Sequence, residues 1–307
     1  MSSILNVVLP IFAIILTGYI SGRRGLLGPT SSTALNGFVF YFALPVLLFK
    51  AMAQVDTATV LNGPYIATYM GGQVIALVIG MMIARGFFRT SWPEAATHGT
   101  VAIYGNVGYM GIPLVLAAFG EAALPPAIIA TIINAALNIA ILTAFIETGQ
   151  HRGRGGNAVR DVAFALIKNP ILIAPVLGFI WSLSGLPLPA PVITYGDILG
   201  AAAGPCALFS LGLFLVGKPL SEGIAEVTSM TVIKLLIHPL ATWGLAVFLL
   251  ADQPRWFTIC ILMAALPTGA NIFILVQRYN IYVARTSTAI LASTVLSLLT
   301  LSALFIF

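Results

Sequence analysis

The chain has 307 residues and a formal net charge of +5, and 59% of its residues are hydrophobic while only 7% are charged. Soluble domains carry roughly 25% charged residues, so this composition excludes a water-facing surface over most of the chain. Lipid offers the backbone no hydrogen-bond partners, so we expect helical spans. We find none of the short alternating segments that are typical of a membrane barrel.

Ten segments are candidates for membrane helices, because a span needs about 20 predominantly apolar residues. They cover residues 3–21, 32–53, 63–86, 95–119, 124–147, 165–184, 195–217, 227–250, 256–277 and 283–306.

The first of these segments lacks the basic start of a cleaved signal peptide and is interpreted as a span. Cys206 and Cys260 fall inside apolar segments, and neither a disulfide nor a metal site is predicted.

The basic residues predict the orientation of these spans. If the N-terminus lies outside, twelve of the 14 Lys and Arg residues fall on the cytoplasmic side, and only Lys50 and Arg255 fall on the outer side. Cytoplasmic loops carry an excess of Lys and Arg. We therefore predict a multi-pass protein of the bacterial inner membrane with both termini in the periplasm.

The two halves of the chain resemble each other at an offset of 160 residues. The matched pairs are Pro10 and Pro170, Gly18 and Gly178, Gly25 and Gly185, Leu26 and Leu186, Pro45 and Pro205, Leu48 and Leu208, and Phe49 and Phe209. Each half holds five spans, so the second half must be inserted upside down. The predicted fold is an all-α polytopic membrane protein whose ten helices form two inverted repeats. The repeats are residues 1–148 and 162–307, joined by a cytoplasmic linker at 149–161.

Spans four and nine carry helix breakers at corresponding depths, in the sequences YGNVGYMGIP and LPTGAN. Proline removes a backbone donor and glycine favours unwinding, so we predict that both helices are broken and cross. The N-termini of the half-helices would then suit an anion. A pair of packing kinks is the alternative. The predicted substrate-binding residues are Tyr104, Gly105, Asn106, Gly108, Pro113, Pro267, Thr268, Gly269 and Asn271, with Asn134 and Asn138 in span five.

The asparagines allow two interpretations. Asn106 and Asn271 can cap freed backbone groups or donate to a substrate carboxylate. Asn134 and Asn138 lie four residues apart on one helical face, where hydrogen bonding between helices is the simpler alternative to substrate contact.

Ionisable residues inside spans are candidate functional residues. Lys234 and His238 lie on one face of span eight, and an electrostatic role toward an anion is one hypothesis. Snorkelling of Lys234 to the cytoplasmic interface is the other, and its depth of about two turns favours it. No Asp or Glu lies at the middle of a span, which argues against a sodium- or proton-carrying carboxylate.

The chain resembles the auxin efflux carrier family, in the bacterial branch related to plant PIN proteins and to malonate or malate permeases. The motifs are GNVGYMGIP, the stretch from Lys234 to Pro239, and LPTGANIFILVQRY, and the likeness extends over the whole chain. The resemblance implies a scaffold of spans 1, 2, 6 and 7, a transport domain of spans 3–5 and 8–10, an elevator-like movement and a homodimer through the scaffold. It implies organic-anion substrates, with Pro113, Pro267, Asn106 and Asn271 at the family's crossover.

The sequence therefore predicts a secondary transporter for a small organic anion, either auxin-like or a dicarboxylate. A sodium- or proton-coupled symporter or antiporter of the same fold group is the alternative. A membrane-embedded sensor or enzyme is the third hypothesis, but we find no nucleotide-binding loop, zinc motif or nucleophile elbow. No cofactor and no nucleic-acid partner are predicted. The substrate, the coupling ion and the direction of transport stay open.

Overall fold

The computed structural model describes residues 4–57, 61–150, 163–164, 166–217 and 223–305. Its helices, numbered in chain order, are α1 (Leu9–Arg23), α2 (Pro29–Ala53), α3 (Gly63–Gly86), α4 (Trp92–Ile103), α5 (Val107–Phe119), α6 (Leu124–Gln150), α7 (Pro170–Leu183), α8 (Ala190–Leu215), α9 (Ile224–Leu249), α10 (Pro254–Ala265), α11 (Asn271–Tyr279) and α12 (Val283–Leu304). All regular elements of the described residues are helical, which confirms the all-α prediction.

The helices of the described residues have the lengths expected of a multi-pass membrane protein. Seven helical segments are long and apolar enough to cross a membrane, and α5, α7 and α10 are apolar but shorter. The predicted segment 95–119 is divided between α4 and α5, and the segment 256–277 between α10 and α11. Residues 151–162, which include most of the predicted linker, lie outside the described part of the chain.

Three helices begin with a polar cap and then a proline. The side chains of Asn62, Ser91 and Asn169 each accept a hydrogen bond from a backbone N–H in the first turn of α3, α4 and α7. Proline fits the first helical position, as in α7, or the second, as in α3 and α4, since the N–H that it lacks would have no partner inside the helix. These local signals explain why the three helices start where they do.

The packing divides the helices into two groups. In the first helix group, α1 packs against α8, and α2 packs against both α7 and α8. In the second helix group, α3 packs against α4 and α9, and these helices contact α6, α10 and α12. The helix α5 packs on α6 and also contacts α8, so it lies at the boundary between the groups. We count α5 and α11 with the second group, next to α6 and α12.

Within the first helix group, two glycines permit reciprocal contacts between backbones. A Cβ atom added to Gly18 on α1 would lie 2.1 Å from the carbonyl oxygen of Phe209 on α8. A Cβ atom added to Gly178 on α7 would lie 2.4 Å from the carbonyl oxygen of Phe49 on α2. Small residues allow membrane helices to approach closely and gain van der Waals contact. Gly18 and Gly178 are 160 positions apart, and so are Phe49 and Phe209. Each contact is therefore the counterpart of the other under the offset that relates the two halves of the sequence.

The contact between Gly18 and Phe209 predicts a stability difference between two glycine substitutions. We expect Gly18→Ala to lower the free energy of unfolding by about 1–3 kcal/mol, because the added methyl group forces the two backbones apart. Gly244 on α9 is the control, since among the described residues no atom outside its own helix lies within 4 Å of an added Cβ. Melting temperatures in detergent should fall for Gly18→Ala alone. Equal losses in both variants would contradict the proposed role of this contact.

Candidate functional site

Two interruptions of regular helix lie next to each other in the second helix group. The first break separates α4 from α5 and consists of residues 104–106. The second break separates α10 from α11 and consists of residues 266–270. Both occur where the proline and glycine content of the sequence predicts them.

The two breaks are hydrogen-bonded to each other through their backbones. The N–H of Asn106 donates to the carbonyl of Pro267 at 2.8 Å, and the N–H of Gly269 donates to the carbonyl of Tyr104 at 2.9 Å. These bonds surround an isolated antiparallel bridge at residues 105 and 268. Unwound backbone at membrane depth is tolerated only where other groups satisfy it. Each break supplies hydrogen-bond partners that the other break has lost.

Gly269 makes this pairing sterically possible. A Cβ atom at this position would lie 2.9 Å from the carbonyl oxygen of Gly105 and 3.0 Å from the ring of Tyr104. Any side chain would therefore push the second break away from the first.

Asn134 on α6 satisfies the backbone of the first break. Its Nδ2 donates to the carbonyl of Gly105 at 3.1 Å, and its Oδ1 accepts from the N–H of Gly105 at 3.1 Å. Gln73 on α3 donates to the same Oδ1 at 2.9 Å, and Asn138 donates to the Asn134 carbonyl at 2.6 Å. Asn134 thus makes the hydrogen bonds between helices that the sequence offered as the simpler interpretation, whereas Asn138 donates within α6. Asn134 also lines the cavity described below.

Lys234 on α9 lies behind the breaks and is completely buried. Its Nζ donates to the carbonyl of Ala264, at the end of α10, at 2.7 Å, and lies 2.9 Å from Nδ1 of His238. The snorkelling that we favoured for Lys234 is wrong, because the amine bonds to a carbonyl within the protein. The side chain thereby supplies a donor to the C-terminal end of a half-helix, where carbonyls lack partners.

A cavity of about 860 Å³ opens beside the breaks, between the two helix groups. Seven predicted site residues line it: Tyr104, Gly105, Asn106, Gly108, Asn134, Gly269 and Asn271. The other predicted residues lie away from its wall. Pro267 and Thr268 take part in the pairing of the breaks, Pro113 lies in α5 close to α8, and Asn138, Lys234 and His238 are buried.

The wall of the cavity contains two helix N-termini and one unpaired amide donor. The helices α5 and α11 both begin at its wall, and helix N-termini present free N–H groups and partial positive charge. Asn106 is 5% exposed, and its Nδ2 donor has no partner among the described residues. A buried amide donor normally has a partner, so a ligand oxygen would complete this one. The described lining residues carry no charged side chain, and no metal-binding cluster of His, Cys, Asp or Glu occurs in the described part of the chain.

The opposite wall contains polar residues that we did not single out from the sequence. Ser32 and Asn36 on α2 line the cavity, and Ser210 on α8 donates to Oδ1 of Asn36 at 2.9 Å. Tyr109, at the start of α5, donates to the carbonyl of Asn36 at 3.3 Å and so connects the two helix groups. The signal available in the sequence was the spacing of Ser32 and Asn36, which places two polar residues on one face of an apolar helix.

Comparisons with known proteins agree over nearly the full length of the chain. The family described as membrane transport protein matches residues 3–305. A protein of Rhizobium meliloti (strain 1021) named "Putative malonate transporter" is 32% identical, and the match covers 99% of this chain and 95% of that protein. "Uncharacterized transporter YfdV" of Escherichia coli (strain K12) is 28% identical, with coverage of 97% and 95%. "Auxin efflux carrier component 5" of Arabidopsis thaliana is 22% identical, with coverage of 96% and 93%.

The hydrogen bonds of Asn134 predict that it stabilises the first break. We expect Asn134→Ala to lower the melting temperature markedly, because a buried polar group left unpaired costs about 1–3 kcal/mol and both groups of Gly105 lose their partner. Asn138→Ala is the matched control, since Asn138 bonds to Asn134 and not to the break. Thermal unfolding of both purified variants checks the prediction, which fails if the two losses are equal.

Proposed function

Because the chain belongs to the membrane transport protein family, which includes the auxin efflux carriers, we propose that it is a secondary transporter for a small organic anion. The family and the relatives are membrane transporters, and the chain is a transporter and not an enzyme. The observation that supports the anion is the meeting of two helix N-termini and the unpaired amide of Asn106 at one cavity.

A carboxylate is the proposed substrate group. Malonate and auxin, named in two relatives, both carry carboxylates. A carboxylate accepts several hydrogen bonds at once, and the amides of Asn106 and Asn271 together with free backbone N–H groups provide donors. The cavity volume of about 860 Å³ accommodates either a dicarboxylate or a larger aromatic acid.

We further propose that the substrate moves by an elevator mechanism. The first helix group would be the scaffold, and the second helix group would be the transport domain. The position of the cavity between the groups supports this division. Movement of the second group past the first would carry the breaks, and a substrate bound beside them, from one side of the membrane to the other. The reciprocal contacts of Gly18 and Gly178 support two inverted repeats at 1–148 and 162–307, joined by the linker 149–161, with α4–α5 and α10–α11 as the crossed broken helices.

The proposed setting is the bacterial inner membrane, with both termini in the periplasm and a homodimer formed through the scaffold. The distribution of basic residues supports the orientation. The dimer has the support of the family resemblance alone.

Proton coupling is the second candidate mechanism. Lys234 and His238 favour it, because they are buried ionisable groups directly behind the breaks. Ionisable residues inside membranes mark ion and proton pathways. Sodium coupling has no comparable support in the described spans.

Uptake into proteoliposomes tests the proposed function. We expect saturable uptake of at least one radiolabelled carboxylate from a panel of malonate, malate and indole-3-acetate, and no uptake of its neutral amide. A sodium gradient should leave the rate unchanged, and a pH gradient separates the uncoupled from the proton-coupled mechanism. Equal uptake of an acid and its amide would contradict an anion site.

Asn106 and Asn271 should determine affinity more than stability. We expect Asn→Ala at either position to weaken substrate binding about tenfold or more, since a hydrogen bond to a charged group contributes about 1.5–3 kcal/mol. Asn→Asp should weaken it further, because a like charge faces the anion, with recovery at low pH if the new carboxylate is protonated. Affinity and melting temperature are measured on the same variants. Unchanged affinity with a lower melting temperature would leave these asparagines with a structural role only.

A further inference from the structure

A buried lysine connects the two helix groups at a distance from the cavity. Lys50, near the end of α2, is 8% exposed, and its Nζ donates to both carboxylate oxygens of Glu121 at 3.1 and 3.3 Å. The same Nζ also donates to the carboxylate of Asp197 on α8. The lysine stem fits against α8 because Gly196 has no side chain there, and an added Cβ would lie 3.3 Å from Cδ of Lys50.

The three charged residues lie at the opposite end of the protein from the accessible part of the cavity. The cavity reaches the exposed loop between α1 and α2 at Leu27 and Gly28, and it is lined by Ser32 in the first turn of α2. Lys50 lies about 30 Å from the start of α2, at 1.5 Å of rise per residue. Asn62, at the start of α3, bonds to Gln253, so the α9–α10 loop also lies toward the Lys50 end.

The two carboxylates belong to different helix groups. Asp197 on α8 shares the first group with Lys50, so their ion pair is internal to that group. Glu121 lies in the turn between α5 and α6, in the second group. A relative movement of the groups must therefore break the pair with Glu121 and can leave the pair with Asp197 intact.

The second carboxylate keeps the charge of Lys50 paired when the two helix groups move apart. Removing one partner from a buried ion pair normally leaves an unpaired buried charge at a large energetic cost. Here Asp197 keeps Lys50 neutralised after Glu121 departs, and Glu121, with a side chain that is 63% exposed, is solvated in either position. The pair between groups can hence be broken and remade at moderate cost.

We propose that the Lys50–Glu121 ion pair is a latch that holds the Lys50 end of the transporter closed while the cavity is accessible at the other end. The inference rests on the proposed function, in which the two helix groups move relative to each other. Asp197 is the resident partner of Lys50 in both arrangements.

Site-directed labelling of the cavity tests the latch without any substrate. The reporter is Ala135→Cys on α6, which lines the cavity. The background carries Cys206→Ala, and Cys260 is kept because it is fully buried. A membrane-impermeant methanethiosulfonate is applied to right-side-out and inside-out vesicles. The side from which the parent protein is labelled faster defines the open side.

We expect Glu121→Gln to raise the labelling rate from the opposite side about fivefold and to lower the rate from the open side. Lys50→Met keeps the stem on Gly196 and should shift labelling in the same direction. The double variant should shift it no further than the larger single effect, because both changes remove one interaction. Asp252→Asn is the matched control, since Asp252 is an exposed carboxylate of the α9–α10 loop.

Folding of every variant is checked by its melting temperature in detergent. A folded Glu121→Gln protein with unchanged labelling from both sides would overturn the latch, and so would an equal shift in Asp252→Asn, which would indicate a general effect of surface charge. The assay is independent of the substrate assignment. Shifted labelling without carboxylate uptake supports the latch and overturns the anion site, and uptake with unshifted labelling does the reverse.

Discussion

The need to satisfy unwound backbone inside an apolar protein governs the arrangement of this molecule. Two half-helices end and two begin at one place, so several N–H and C=O groups lose their helical partners there. The two breaks bond to each other, and three further helices contribute one polar side chain each. Asn134 of α6 bonds to Gly105, Lys234 of α9 bonds to Ala264, and Ser293 of α12 accepts from the N–H of Thr268 at 3.0 Å. This requirement accounts for these three polar residues, and the cavity lies beside the same breaks, where Asn134 also lines its wall.

The sequence predicts the spans and the breaks well because both depend on local composition. Apolar length identifies a membrane helix, and clustered proline and glycine identify an interruption, without knowledge of any partner. The environment of Lys234 depends on Ala264, which lies thirty positions away in the chain. The position of Lys234 within its own span favoured snorkelling, whereas in the structure its amine is buried and donates to the Ala264 carbonyl. The polar wall at Ser32 and Asn36 was missed for a similar reason. A single serine or asparagine in a span is compatible with many packing roles, and only the neighbouring helix shows that it faces a cavity.

The two halves share the reciprocal glycine contacts at the 160-residue offset, but their charged residues differ. Under the 160-residue offset, Lys50 corresponds to Ser210, and Asp197 corresponds to Gly37. Glu121 corresponds to Ile281. Three charged residues thus lie at one end of the protein, and their counterparts are uncharged. In the elevator mechanism proposed above, the two arrangements would be equal in energy if the halves were identical. Under that proposal, the charges at one end would remove the equality and favour one arrangement.

The pairing of the breaks also constrains how the protein is made. Tyr104 and Asn106 obtain their backbone partners from residues 267–269, which are synthesised much later than the first break. At translation rates of about 5–20 residues per second, the interval is roughly 10–30 s. During that time the first half resides in the membrane, or beside the insertion machinery, with polar backbone groups that only the second half can satisfy. The first half alone is consequently an incomplete product, and correct biogenesis requires that both halves be inserted before the bundle closes.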